Sequence, residues 1–430
     1  MSSAIFNYQH NRAGISENEQ AYLAQNSTKH PAAMVKPGGN GQTKMTSSDT
    51  LSQEKAVIDR DGLASLIAAL QHEGYQVIGP RVVDGAITYE SVDTVDQLPA
   101  GWIDEQEGGS YRLTQGGDGA LFAHTVGPHS WKRHLFPPNH RLWHSQRGEA
   151  GFSIVPEPEP ATPYAFLGVR ACELKAIAIQ DKVFGVTTAK GGPGTGYTDT
   201  GYAARRKAAF LIAVNCSRSA KTCFCVSMDG GPKVEAGFDL ALTELIGGGG
   251  HAFLIEAGSA RGSAILKALP QRAATAEDQA QADAVTARAA GGQSREMVKD
   301  VGALLKRNLE HHRWEEVATR CLGCANCTMV CPTCFCSTVE DTTDLTGLHA
   351  ERWRKWDSCF TLDFTYIHGG SIRREAGSRY RQWITHKLAH WHDQFDSSGC
   401  VGCGRCITWC PVGIDITEEA RAIRDSEGTV

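Results

Sequence analysis

Long apolar runs and a dominant charge are both missing from this sequence of 430 residues. Its longest apolar stretches, such as residues 208–214, are far too short to span a bilayer. The 43 Lys and Arg nearly balance the 48 Asp and Glu, and a net charge of −5 gives no argument for nucleic acid or an acidic membrane surface. Residues 1–50 are polar, without an apolar core region or a twin-arginine pair. We therefore expect a cytoplasmic protein that binds neither membrane nor nucleic acid.

The glycine motifs that bind nucleotide phosphates are missing too. No G-x-x-x-x-G-K-[ST] segment occurs, and GGPGTG at residues 191–196 does not complete a G-x-G-x-x-G motif in a strand-to-helix turn. The glycines at residues 247–250 are typical of a flexible loop. We therefore expect nicotinamide to bind to another chain. Five histidines follow no regular spacing, which favours surface or packing roles over a metal site: His124, His129, His134, His140 and His144.

Cysteine, in contrast, is abundant and regularly spaced. Eight of the fifteen cysteines form two copies of C-x2-C-x2-C-x3-C-P, at Cys321, Cys324, Cys327 and Cys331, and at Cys400, Cys403, Cys406 and Cys410. The doubled spacing predicts two [4Fe-4S] clusters, because three close thiolates wrap one cubane and the fourth, before proline, reaches the neighbouring one. We expect Cys410 to complete the first cluster and Cys331 the second. A zinc site would explain neither the third cysteine nor the proline.

Seven cysteines remain outside these motifs. Four follow two predicted buried strands: Cys172, Cys216, Cys223 and Cys225. Strand ends on one edge of a sheet converge, so these thiols are candidates for a third cluster, and buried structural thiols are the alternative that geometry leaves open. The other three are Cys334, Cys336 and Cys359. We expect them to pack beside the clusters, with the further possibility that they tune a potential or bind a ligand. The absence of a secretory signal favours a reducing compartment, in which thiols stay free for iron.

The periodicity of the chain predicts four regions. Residues 1–51 read as a disordered arm, and residues 52–262 as an α/β domain, with a helix around residues 63–70 and buried strands at residues 164–169, 208–214 and 253–256. Residues 263–312 read as a helical linker and residues 313–430 as an α-helical ferredoxin-like domain. The predicted fold class is thus a mixed α+β fold, with an amino-terminal α/β cluster-binding domain and a carboxy-terminal α-helical dicluster ferredoxin domain.

The interval between the two motifs is long, aromatic and basic. Its aromatic residues, including Trp353, Trp356, Trp383 and Trp391, are compatible with helices and are expected to pack in a core. Cations fill the same interval: Arg352, Arg354, Lys355, Arg373, Arg374, Arg379 and Arg381. We expect them to neutralise the anionic clusters or to form salt bridges with partner proteins, because the chain as a whole is acidic and a nucleic-acid role is disfavoured.

Several blocks of sequence carry a family resemblance. They are residues 130–138 (SWKRHLFPP), 168–175 (GVRACELK), 215–232 (NCSRSAKTCFCVSMDGGP), 239–245 (DLALTEL) and the whole stretch 321–419. The chain resembles the beta subunit of sulfhydrogenase-type, cytosolic bidirectional nickel-iron hydrogenases. A related component of anaerobic sulfite reductase shares the same outline. The resemblance covers residues 55 to 420 and leaves the amino-terminal arm without a counterpart.

The resemblance implies an iron-sulfur electron-transfer subunit of an oxidoreductase complex, with no catalytic site for substrate in this chain. It favours a third [4Fe-4S] cluster at the four cysteines beyond the ferredoxin motifs. The implied partners are a flavoprotein that binds NAD(P) and the hydrogenase small and large subunits. Two alternatives stay open: an electron-transfer subunit of an anaerobic sulfite or sulfur reductase, and an interaction subunit whose clusters only brace the fold. Sequence alone does not separate the first two, because they differ in partner and share their local chemistry.

Overall fold

The computed structural model describes residues 54–116, 118–149, 151–158, 163–188, 194, 197–247 and 250–428. The predicted amino-terminal arm lies outside the described residues, as do most of the glycine segment 191–196 and residues 248–249. In the described ranges, no helix combines the length and apolar character needed to cross a bilayer.

An eight-stranded sheet forms the centre of the amino-terminal half, in the order β12-β1-β11-β10-β9-β8-β2-β3. Strands β10, β9, β8 and β2 are mutually parallel, and the outer pairs are antiparallel. The strands are β1 (Lys55–Asp59), β2 (Gln76–Val83), β3 (Ala86–Ser91), β8 (Tyr164–Val169), β9 (Phe210–Val214), β10 (Leu240–Gly247), β11 (Gly250–Ala257) and β12 (Arg272–Ala273). Strands β8 and β9 are apolar and buried along nearly their whole length, as expected of parallel strands covered on both faces.

A second sheet joins the two halves of the sequence. Its order is β13-β14-β6-β7, and all its pairs are antiparallel. Strands β6 (Asn139–Gly148) and β7 (Gly151–Pro156) precede the parallel strand β8, whereas β13 (Ser337–Thr343) and β14 (His349–Trp356) lie between the two ferredoxin motifs. Two small hairpins complete the strands: β4 (Trp102–Glu107) with β5 (Ser110–Gln115), and β15 (Tyr366–Ile367) with β16 (Gly370–Ser371).

Helices cover the large sheet and build the carboxy-terminal half. In the described residues the α-helices are Arg60–His72, Lys132–Leu135, Ala171–Val183, Thr200–Ala208, Ala260–Ala268, Ala276–Gly291, Val301–Arg307, Arg313–Arg320, Asn326–Met329, Ala376–Thr385, Trp391–Phe395, Arg405–Thr408 and Ile416–Asp425, with a π-helical turn at His386–His390. Short 3-10 turns lie at Val95–Gln97, Val226–Met228 and Leu362–Thr365. The first helix begins where the Asp59 carboxylate accepts a hydrogen bond from Gly62 N over 2.8 Å, which satisfies a backbone donor of its first turn.

Separate apolar cores hold these layers. One packs the helix Arg60–His72 against the sheet, and another packs Trp131 and Phe166 on its opposite face. A third core lies inside the carboxy-terminal half, around Trp314, Trp383 and Leu388. A smaller core contains Cys172, Cys225, Trp391 and Cys403, residues contributed by both halves of the sequence. This last core is where the candidate cluster ligands meet.

The predicted mixed fold is confirmed, and the helix around residues 63–70 and the buried strands are found where the periodicity placed them. The interval between the ferredoxin motifs differs in part from the expectation of helix. Residues 376–395 are helical, but Trp353 and Trp356 lie in β14. Strand β14 pairs with β6, which lies about 200 residues earlier in the chain, and this pairing determines its strand conformation. Local propensity does not predict a partner so distant in sequence. The aromatic residues do pack, as expected, since Trp383 and Trp391 are almost fully buried.

Candidate iron-sulfur centres

The first ferredoxin motif and the end of the second surround one apolar cavity. Cys321, Cys324, Cys327 and Cys410 line it, together with Cys406 and apolar side chains such as Phe360 and Trp383. Four thiols around an apolar space are a donor set that fits a [4Fe-4S] cluster. The structure therefore brings together the cross-motif set that the spacing predicts.

A second set of thiols forms around Cys331. Cys400, Cys403 and Cys406 all interact electrostatically with Cys331, the fourth cysteine of the first motif. Lys387 Nζ lies 3.4 Å from Cys331 Sγ and places a buried positive charge beside these thiols. The fourth cysteine of each motif thus lies near the first three cysteines of the other motif. This arrangement ties the two motifs into one unit.

The four cysteines outside the ferredoxin motifs also come together in part. Cys172 lies in the first turn of the helix that follows β8, and Cys216 lies two residues past β9, so both are at the same edge of the parallel sheet. Cys223 interacts electrostatically with Cys225 and Cys216, and Cys172 interacts with Cys225. These contacts bring the set within one region, as strand-end convergence predicts.

The loop that carries Cys223 and Cys225 packs directly on the second ferredoxin motif. Phe224 N donates to the carbonyl of Gly402 over 2.9 Å. Gly402 has φ +66°, and a Cβ there would lie 2.6 Å from the backbone of Cys225. Gly404 has φ +75°, and its Cβ would lie 2.4 Å from the carbonyl oxygen of Thr222. Only glycine permits this approach at a left-handed backbone position.

Electrostatic interactions between thiols link the three sets in a row. Cys406 of the second set interacts with Cys327 of the first, and Cys403 interacts with Cys172 and Cys225 of the third. The second set is therefore the middle one. Cys324, at the other end of the row, is exposed to solvent.

Burial raises the pKa of most of these thiols. Desolvation is the main cause for Cys225, whose pKa rises to about 11, and for Cys400, whose pKa rises to about 12. The pKa values of Cys172, Cys223, Cys327 and Cys406 are also raised well above the ordinary value, first by burial and then by neighbouring thiols. Without metal these thiols hold their protons at neutral pH, so binding of iron must release protons.

Buried cations lie beside the thiols, and they differ from the predicted ones. Arg405 is 0% exposed, lies within the second motif and interacts with Cys403 and Cys172. Its guanidinium donates to Glu173 Oε1 over 2.6 Å and to the carbonyls of Gly127 and His129 over 2.8 Å. This fully buried ion pair joins the second motif to the helix that carries Cys172.

Most of the predicted cations pair elsewhere. Arg352 and Lys355 form ion pairs with Asp341 and Glu340 across the β13–β14 hairpin, and Arg354 pairs with Asp199. Arg373, Arg374 and Arg381 bond to nearby side chains or carbonyls. Of the seven, Arg379 lies near a motif thiol, Cys321. Arg352, Arg354 and Lys355 lie on β14, whereas Arg373, Arg374 and Arg381 come after the hairpin. Sequence reasoning missed Arg405, although its place between Cys403 and Cys406 was a usable signal.

The histidines are found in packing positions. His124 is buried, its Nδ1 lies 2.9 Å from the carbonyl of Thr125, and burial lowers its pKa to about 4. His134 contacts the rings of Tyr164 and Phe166. His129 lies beside Arg133, and His144 contacts His349. Buried histidines that stay neutral serve as core residues here.

Comparison with known proteins agrees with the geometry. Residues 320–414 match the 4Fe-4S dicluster domain, so this part of the chain is a domain that carries [4Fe-4S] clusters. The chain is also 29% identical over 298 residues to Sulfhydrogenase 2 subunit beta of Pyrococcus furiosus, an alignment that covers 68% of this chain and 82% of the relative. The resemblance to sulfhydrogenase beta subunits inferred from the sequence blocks is confirmed.

Proposed function

We propose that this homologue of a sulfhydrogenase beta subunit is an iron-sulfur electron-transfer subunit, which relays electrons between a flavoprotein that binds NAD(P) and the small and large subunits of a nickel-iron hydrogenase. The observation that carries the proposal is the sequence of three thiol sets, in which a thiol of the second set interacts electrostatically with thiols of the first and of the third. A [4Fe-4S] cluster, when bound, stores and releases single electrons at a potential that its surroundings set. A row of such sites within one chain fits a conduit.

The proposed ligands fall into three sets. The first is Cys321, Cys324, Cys327 and Cys410; the second is Cys400, Cys403, Cys406 and Cys331; the third is Cys172, Cys216, Cys223 and Cys225. Arg405 and Lys387 favour added negative charge at the middle set, because each is a buried cation beside its thiols. Apolar side chains, including Phe360 and Trp383, line the first cavity beside its thiols. Cys324 at the surface marks the end of the row at which a partner can approach most closely.

The number of clusters is tested by the iron and acid-labile sulfide content of the anaerobically purified chain, with electron paramagnetic resonance after reduction by dithionite. If the third set binds a cluster, the C223S/C225S variant contains about four fewer irons than the natural chain. Ser227→Ala is the matched control, since this side chain in the same loop bonds only to Phe224 O and Met297 N. An unchanged iron content in C223S/C225S would remove the third set. Clusters that dithionite does not reduce would favour the alternative in which the clusters only stabilise the fold.

The relay itself is tested in the assembled complex. We expect the Cys406→Ser variant, altered in the middle set, to lose hydrogen-dependent reduction of NAD(P). Uptake of hydrogen with an artificial dye that accepts electrons directly at the catalytic subunits should persist. Retention of NAD(P) reduction, or equal loss of both activities in a complex that still assembles, would contradict the proposed relay. A complex purified with a sirohaem-containing subunit in place of hydrogenase subunits would contradict the proposed partners.

A further inference from the structure

Three cysteines outside the twelve proposed ligands gather at the base of the hairpin formed by β13 and β14. Cys334 and Cys336 precede β13 and Cys359 follows β14, so antiparallel pairing brings them to the same end of the hairpin. Asp357 N donates to the carbonyl of Cys336 over 2.9 Å and extends the pairing toward the cysteines. The thiols of Cys336 and Cys359 are hydrogen-bond partners, and the thiol of Cys334 is a hydrogen-bond partner of Cys331 and also interacts electrostatically with Cys336.

Two buried lysines face this group of thiols. Lys132 is 4% exposed; its Nζ donates to the carbonyl of Cys334 over 3.0 Å and lies 3.8 Å from the ring centre of Trp356. It interacts electrostatically with Cys334 and Cys336. Lys387 is 3% exposed and interacts with all three thiols.

The charge of these lysines is not balanced by carboxylates. Throughout the part of the chain that the structure describes, neither Lys132 nor Lys387 forms an ion pair with Asp or Glu. Lys387 Nζ instead contacts Thr333 Oγ1 at 2.9 Å and the carbonyl of Gly399 at 3.0 Å. Two buried ammonium groups carry a large desolvation cost unless an anion lies beside them. The groups around them that can supply negative charge are thiols: those of this group and, for both lysines, also the thiol of Cys331 in the second set.

The sequence Thr-Cys-Phe-Cys occurs at residues 222–225 and again at residues 333–336. Thr222 and Thr333 are both 0% exposed, and both hydroxyls bond to the second ferredoxin motif or its flank, at Thr408 Oγ1 and at the carbonyl of Gly399. The first copy supplies two of the ligands proposed for the third cluster. The second copy has the same buried threonine and presents its two cysteines toward buried cations.

We propose that Cys334, Cys336 and Cys359 bind a fourth iron-sulfur centre, a [4Fe-4S] cluster with three thiolate ligands. The other twelve of the fifteen cysteines are assigned to three sets of four, so one iron of this centre has a ligand other than cysteine. Lys132 and Lys387 compensate the negative charge of the centre. The proposal concerns ligation alone and does not depend on the partner subunits proposed above.

The C336S/C359S double variant tests the site in the full chain. We expect it to contain about four fewer irons and about four fewer sulfides than the natural chain, with the dithionite-reduced signals of the other clusters kept. The matched control is Ser358→Ala, since Ser358 lies between β14 and Cys359, is fully buried and bonds to Thr328 Oγ1 over 2.7 Å. The control should retain the full iron content. Unchanged iron in the double variant, or loss of zinc in place of iron, overturns the proposal.

A second experiment uses the natural chain and does not depend on whether a variant folds. Ferricyanide takes one electron from a [4Fe-4S]2+ cluster that has one iron without thiolate, and that iron leaves as Fe2+, which gives [3Fe-4S]1+. We expect limited ferricyanide oxidation to produce the paramagnetic signal of an oxidised [3Fe-4S] cluster and to release one Fe2+ per chain. Incubation with Fe2+ and dithionite should reverse both changes. A chain that gives no such signal, or that gives it equally in the C336S/C359S variant, overturns the proposal.

Discussion

Replacing Arg405 by methionine should destabilise the protein strongly, because the ion pair with Glu173 is fully buried on both sides, with side-chain exposures of 0% and 1%. Methionine removes three hydrogen bonds of the guanidinium and leaves the Glu173 carboxylate without its cation. That carboxylate keeps the Tyr89 hydroxyl at 2.8 Å and the Trp131 indole N–H at 3.0 Å as donors. Breaking one side of a buried pair costs about 3–5 kcal/mol, or about a hundred- to several-thousand-fold in the folding equilibrium.

The opposite variant, Glu173→Gln, should cost less. Arg405 then keeps the carbonyls of Gly127 and His129 and lies beside Cys403 and Cys172, which become anionic when iron binds. We expect a cost of about 1–3 kcal/mol, typical of a lost hydrogen bond to a charged group. The asymmetry between the two variants follows from the clusters, since their negative charge replaces that of the lost carboxylate.

Anaerobic denaturation by guanidinium, followed by the visible absorbance of the clusters, measures these costs. Arg352→Met is the matched control, because its ion pair with Asp341 is exposed and should contribute about 0–1 kcal/mol. R405M should also lower the midpoint potential of one cluster, whereas R352M should leave all potentials unchanged. The reasoning is refuted if R405M unfolds at the same guanidinium concentration as R352M, or if E173Q is the more damaging variant.

Three further predictions concern single residues. Gly402→Ala should lower both the stability and the iron content, because the added Cβ would lie 2.6 Å from the backbone of Cys225. The control Gly74→Ala is also at positive φ but in open space, and it should cost only about 1–2 kcal/mol of stability. Iron assays and guanidinium midpoints measure both effects. Burial first, and then the nearby arginine charge, lowers the pKa of His124 from 6.5 to about 4, so the stability it contributes is present above pH 6.5 and is lost as the pH falls toward 4. The free energy of unfolding measured in urea should therefore fall by about 2 kcal/mol more in the natural chain than in His124→Gln between pH 6.5 and pH 5, and parallel curves would contradict this. Glu419→Gln should cost about 1.5–3 kcal/mol, since this buried carboxylate accepts from two arginines at 2.6 Å and 2.5 Å; thermal unfolding equal to that of the natural chain would contradict it.

The sequence was informative wherever a short motif or a simple periodicity determines structure. The motif spacing predicted the exchange of Cys331 and Cys410 between the two ferredoxin sets, which the structure shows as neighbouring thiols. Consecutive buried strands predicted that Cys172 and Cys216 lie at one sheet edge, because parallel strands end on the same side. These inferences need only local pattern and the geometry of a parallel sheet.

Contacts between segments that are distant in the sequence could not be predicted from local patterns. Lys387 lies 56 residues from Cys331 in the sequence, but its Nζ contacts Cys331 Sγ. It lies in a π-helical turn, which no local sequence pattern predicts. Strand β14 depends on β6 for its pairing, and a basic, aromatic segment is equally compatible with helix until that partner is known. Sequence reasoning therefore did not find Lys387, which lies in the interval between the motifs, or Arg405, which lies within the second motif.

The shared sheet of β6, β7, β13 and β14 has a consequence for how this protein can be divided. Residues 320–414, which match the dicluster domain, include β13 and β14 but leave out β6 and β7. A fragment cut at those limits would present β14 with an unpaired row of backbone N–H and C=O groups, and such an edge invites aggregation. The unit that the dicluster domain match defines is thus smaller than the unit that keeps this sheet intact. A minimal version of this protein must begin before Asn139 and keep both halves of the sheet on one chain.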